Sequence, residues 1–129
     1  MSADKRPVEG VVVKLLHHKR TDRGMILTEF ETRCVRVGEI HELVTTDQAT
    51  AMCGDRVDRV GFLGFVEITR AGVIEIGDTV VHNGKSLGRV LGFDESHFPN
   101  HYNILIASEG LLTAHEAELS IEERIVFQS

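Results

Sequence analysis

Residues 71–93 read AGVIEIGDTVVHNGKSLGRVLGF, and this stretch decides the fold. A two-residue hairpin loop of type I′ needs φ > 0 at both central positions, and Asn-Gly is the dipeptide that tolerates it best. Asn83-Gly84 is flanked by β-branched and apolar residues with a period of two, the pattern of a half-buried strand. The stretch therefore predicts a hairpin over residues 79–88, with His82 opposite Lys85 and Val80 opposite Leu87 on one face.

Strand patterning extends outward in both directions. Upstream, Val11, Val13 and Leu15 alternate with Val12, Lys14 and Leu16, a run apolar on both faces. The polar residues 19–24 then turn the chain into MILTEFETRCVRV, with Phe30, Thr32 and Cys34 on one side and Glu29, Glu31 and Arg33 on the other. Gly38 interrupts that run, and EIHELVTT resumes it with His41 and Leu43 on a shared face. In GFLGF, the bare Gly61 and Gly64 admit close backbone packing. Downstream, Ile121, Glu123, Ile125 and Phe127 alternate as a last strand. One short helix is expected over residues 47–53, because Thr45 with Gln48 fits a capping box and Gly54 supplies a stop. Thr113 with Glu116 suits a single helical turn by the same rule.

Residues 77–80 and 84–90 also follow the pattern G-D-x-V…G-x-x-L-G-x-V. This resembles segments of the β-barrel domains of translational GTPases and of the PRC-barrel modules. The likeness covers about twenty residues, mostly turn glycines, so it implies a barrel-like fold and brings no catalytic residue with it. The expected architecture is all-β: a small barrel or strongly curled antiparallel sheet with one short helix. Residues 1–129 form one domain, with residues 1–7 as a flexible N-terminal segment.

Composition narrows the function classes. At 129 residues, 42 % apolar and 26 % charged, the chain has ordinary globular usage and length for one core. No apolar run approaches the roughly 20 residues of a membrane helix, and MSADKRPVEG has no signal-peptide core. A cytoplasmic location is expected, with Cys34 and Cys53 as reduced, buried thiols. The net charge of −6 arises after residue 70, where 3 basic residues face 9 acidic ones. Nucleic-acid binding is not expected from that balance. The basic cluster HHKRTDRG at residues 17–24 reads as a solvated loop. There is no G-x-S-x-G elbow, P-loop or G-x-G-x-x-G turn.

The chemistry concentrates in LGFDESHFPNHYNIL, residues 91–105. His97 and His101 are four apart, but Pro99 between them excludes a helix, and a straight strand would hold them about 13 Å apart. A turn at Phe98-Pro99-Asn100-His101 folds the chain back and allows the imidazoles to converge. Asp94 would then complete a two-histidine, one-carboxylate set for a divalent metal such as zinc. Alternation from Tyr102 puts His101 and Asn103 on one face, so Asp94, His97, His101 and Asn103 form the candidate ligand site. The leading expectation is a small-molecule or divalent-metal binding module with its site near residues 93–103. The alternatives are a structural or oligomerisation module without chemistry, and a small enzyme in which His97 or His101 acts as general base beside Asp94 or Glu95. A homo-oligomer is expected in any case, because a chain rich in strands must hide its sheet edges.

Overall fold

The computed structural model describes residues 4–129, and every regular element among them is a strand. The hairpin forms where the sequence places it, between β9 (Thr79–His82) and β10 (Lys85–Asp94). Asn83 and Gly84 take φ of 51° and 75°, and His82 pairs with Lys85. A bulge after Ser86 puts Gly88, rather than Leu87, opposite Val80.

The main sheet is built around this hairpin. β12 (Arg124–Gln128) lies beside β9, and β1 (Val8–Leu15) lies beside β12. On the other side, β11 (Asn103–Ala107) pairs antiparallel with β10 and parallel with β5 (Ile40–Thr46), with Asn103 opposite Glu42. β7 (Val60–Arg70) pairs with β5 on one edge. Its other edge takes β2 (Lys19–Arg20) near its start and β1 further along. Two small two-stranded sheets complete the fold: β3 (Met25–Ile26) with β6 (Arg56–Val57), and β4 (Thr32–Val35) with β8 (Gly72–Glu75).

Two expectations are corrected. First, no helix forms among the described residues. Thr45 cannot cap residues 47–53 because it is a buried β5 residue whose hydroxyl donates to the Leu112 carbonyl at 2.8 Å. Gln48 instead accepts the Asp58 and Arg59 amides on its side-chain oxygen. Thr113 and Glu116 do bond as a cap would, but they close a turn only. Second, the sheet is not the small antiparallel barrel that the glycine spacing and the likeness to barrel modules imply. It is a mixed eight-stranded sheet containing a parallel pair, and the two small sheets stand outside it. The run MILTEFETRCVRV is likewise divided between β3 and β4, because Thr28 donates its amide to Phe93 and Leu27 lies over Gly92.

Alternate residues of β5 and β11 enter two different cores. Leu43 and Ile104 join Val12, Leu63, Phe93 and Phe127, while Val44 and Leu105 join Met25, Leu27, Val60 and Phe62. Each such side chain contributes about 1.5–3 kcal/mol when fully buried. Two bare positions allow the approach of backbones around β7. A Cβ at Gly61 would stand 2.5 Å from the Leu112 carbonyl oxygen, and one at Gly64 would overlap the Lys14 carbonyl. Both cysteines are free thiols, but they are exposed rather than buried. The expected flexible segment falls in part on residues 1–3, outside the described residues, while Lys5 donates to Asp78 at 2.5 Å.

Candidate functional site

β10 ends at Asp94 and β11 begins at Asn103, and the intervening residues fold back sharply. The turn starts one residue earlier than Phe98: the amides of Asn100 and His101 both donate to the His97 carbonyl, at 2.8 and 3.3 Å. Pro99 therefore sits third in the turn, after a cis Phe98–Pro99 peptide. Asp94 organises this return. Its carboxylate accepts the Ile26 amide at 3.0 Å, the Ser96 amide at 3.0 Å, the Ser96 hydroxyl, and the Asn103 side-chain amide at 2.9 Å. Burial works to raise the Asp94 carboxyl, but the bonds from Ser96, Asn103 and Ile26 hold it below the usual range.

Behind the turn, His101 donates from Nε2 to Glu42 Oε1 at 3.1 Å, and both side chains are only 8 % exposed. The other ring nitrogen, Nδ1, accepts from the Asn100 side-chain amide Nδ2 at 3.0 Å. The pairing follows from the parallel β5–β11 register, which sets Asn103 opposite Glu42 and leaves His101 two residues back on the same face. Burial pushes the Glu42 carboxyl up, against the positive fields of His97, Arg23 and His18. Burial also pushes the His101 imidazole down, with the Asn103 side chain acting against it. Fully buried Asn103 keeps its Oδ1 without a partner.

The four candidate residues thus belong to one network. His97 is exposed, its ring centroid 5.1 Å from that of His101, as the turn requires. The metal-binding expectation finds no support in the geometry: no set of three histidine, cysteine or carboxylate side chains suited to a metal is found among the described residues. The physical reason is that each intended ligand is otherwise engaged. Asp94 is filled by four donors, and His97 Nε2 accepts from the Arg23 guanidinium at 3.1 Å, a cation where a metal would have to sit.

The opposite side of the turn roofs a cavity of about 270 Å³. His101, His41, Glu39, Ile40, Phe98 and Tyr102 contribute to its walls. His41 is buried and mirrors His101: Nε2 donates to Glu39 at 2.9 Å, and Nδ1 accepts the Tyr102 amide at 3.1 Å. Phe98 stacks on Tyr102 with centroids 5.4 Å apart. The Arg33 guanidinium lies 4.4 Å from the Tyr102 centroid and pairs with Glu95. A groove of about 700 Å³ along Ser86–Arg89 is larger, but mainly small side chains line it, with Arg89 and Glu109 as its charged residues and no histidine or aromatic ring.

Glu42, Glu39 and Arg23 are site residues that sequence reasoning passed over. Glu42 had a signal, a carboxylate inside the apolar strand run EIHELVTT, where a buried charge demands a partner. Its partner stands 59 residues away. The remaining histidines are structural or peripheral: His18 stacks on Phe62 at 4.2 Å, His82 bonds Glu123, and His17 and His115 are exposed. Charges of the basic loop are compensated by Glu116, which pairs with Lys19, and within the loop by Asp22, which pairs with Arg20.

A model of a family of unknown function, DUF6917, matches residues 2–128, and the chain belongs to that family. No curated protein and no solved structure matches it.

Proposed function

We propose that this member of the DUF6917 family is a small-molecule-binding module whose site is built on the turn between β10 and β11. The observation that carries the reading is the cavity under residues 98–102, walled by two buried imidazoles that are each hydrogen-bonded to a carboxylate. Buried polar pairs are energetically demanding, and a pocket combining aromatic walls with a few convergent polar groups is the usual form of a ligand site. In this reading His101 meets the ligand. Asp94 and Asn103 position the turn, and His97 with Arg23 holds its outer side.

A fragment screen by amide chemical-shift mapping tests this. Binders should move the amides of Ile40, His101 and Tyr102, and His101→Ala should abolish those shifts. Binders that map elsewhere, or survive His101→Ala in a folded protein, overturn the reading.

One observation favours acid–base chemistry as a second reading. Burial drives both Glu42 and His101 toward their neutral forms, and His101 is the member of the pair that lines the cavity and would meet a bound molecule. Self-association is part of the proposal as well. The strands of the two small sheets each pair on one side only, and Phe30 beside them is half exposed. Light scattering that finds a monomer at high concentration removes that part.

A further inference from the structure

Resting on the binding reading above, we propose that the ligand of the 98–102 cavity is an organic cation, an amine or guanidinium carried on an apolar body. The lining supplies the argument. Glu39 is the one formally charged residue among the walls, and no lysine or arginine lines them. Both imidazoles have committed their N–H donors to carboxylates and their acceptor nitrogens to Tyr102 and Asn100. A carboxylate that accepts one bond keeps lone pairs free for further donors, so Glu39 can take a ligand N–H beside that of His41.

The remaining walls suit the body of such a ligand. Phe98 and Ile40, at 57 % and 45 % exposed, are large apolar groups at an otherwise polar rim. Phe98 stacks on Tyr102 and stays more than half exposed, so its ring can still meet a cation. The protein itself shows this preference, since the Arg33 guanidinium already lies 4.4 Å from the Tyr102 ring centroid. A net charge of −6 also favours the approach of a cation over that of an anion. An anionic ligand would meet Glu39 and find no free cation in the walls.

The test uses the whole chain, ¹⁵N-labelled, titrated with phenethylamine and with its neutral isostere 2-phenylethanol. The amine should shift the Ile40, His41 and Tyr102 amides saturably and bind about tenfold more tightly than the alcohol. Glu39→Gln should remove that tenfold advantage and leave the alcohol unchanged. A lysine peptide with blocked termini forms a second arm, separating a free amine from a lysine of a partner protein. Binding by either cation that is lost in Glu39→Gln supports the proposal. Equal binding of amine and alcohol, or no effect of Glu39→Gln in a protein with a native spectrum, overturns the cationic class and leaves the cavity as a site for other ligands. If neither cation shifts the cavity amides, the cationic class falls as well, and the fragment screen decides separately whether the cavity binds anything.

Discussion

The fold contains two imidazole–carboxylate pairs joined across long sequence distances, and they behave in opposite ways. His82 beside the hairpin donates to Glu123 at 2.7 Å, and Glu123 is about one-third exposed. His101 donates to Glu42 at 3.1 Å with both partners buried. Hydrogen bonds from His82 and the Ser120 amide hold the Glu123 carboxyl below its usual range. Burial holds Glu42 above it. The same two functional groups therefore favour the charged carboxylate where water helps to solvate it, and the protonated carboxyl where water is excluded. Environment, not residue identity, separates them.

The comparison is most directly broken by deleting the imidazole of the buried pair. His101→Ala leaves Glu42 without its partner and should cost about 3 kcal/mol in urea unfolding. His82→Ala should cost less, since Glu123 regains water and keeps its bond from Ser120. Equal losses would show that the two pairs do not differ in kind. A smaller effect is expected from Asp94→Ala, about 2 kcal/mol, because the Ile26 and Ser96 amides lose their acceptor. Hydrogen exchange should quicken at those two amides. Unchanged protection would mean that Asp94 does not hold the turn beneath the buried pair.

The smallest effects sharpen the contrast through pH. Folded Glu42 keeps its proton where the unfolded chain has released it, so its contribution declines as pH rises above the ordinary 4.5. Glu42→Gln should remove that decline and gain on the wild type between pH 4 and pH 8. Glu123 contributes fully above 4.5, and its share is lost as pH falls through its depressed value. Glu123→Gln should therefore be less stable than the wild type near neutrality and equal to it in acid. His101 adds a loss below 6.5, where the unfolded imidazole protonates before the folded one. Melting temperatures across pH for the two glutamine variants test the opposed signs, and curves of the same sign would remove the distinction.

Legibility in the sequence tracks the range of the interactions. Asn83-Gly84 encodes its own turn, so the hairpin is readable from four residues, and the convergence of His97 with His101 follows from the turn chemistry around Pro99. Asp94 and Asn103 are found for the same reason, since both lie within ten residues of that turn. The helix at residues 47–53 misleads because Thr45 has a remote partner, Leu112, that local capping rules do not see. The barrel reading misses for a related cause: glycine spacing reports bends, whereas the parallel β5–β11 register depends on strands some sixty residues apart. Glu42 was hidden by that register, and the Ile26 amide on Asp94 and the Arg23 guanidinium on His97 come from outside the turn, beyond the reach of local spacing.

The pairing of the first strand with the last has a consequence in time. Val8 lies opposite Phe127, so β1 has no β12 beside it until residues 124–128 have left the ribosome. The parallel pair that seats Glu42 against His101 also waits for residue 107, and a fold dominated by such distant pairings acquires its structure late and slowly, on the millisecond-to-second scale of high-contact-order domains. During synthesis, the apolar run at Val11–Val13 can pair with β7 but keeps its other edge open to neighbouring nascent chains until β12 emerges.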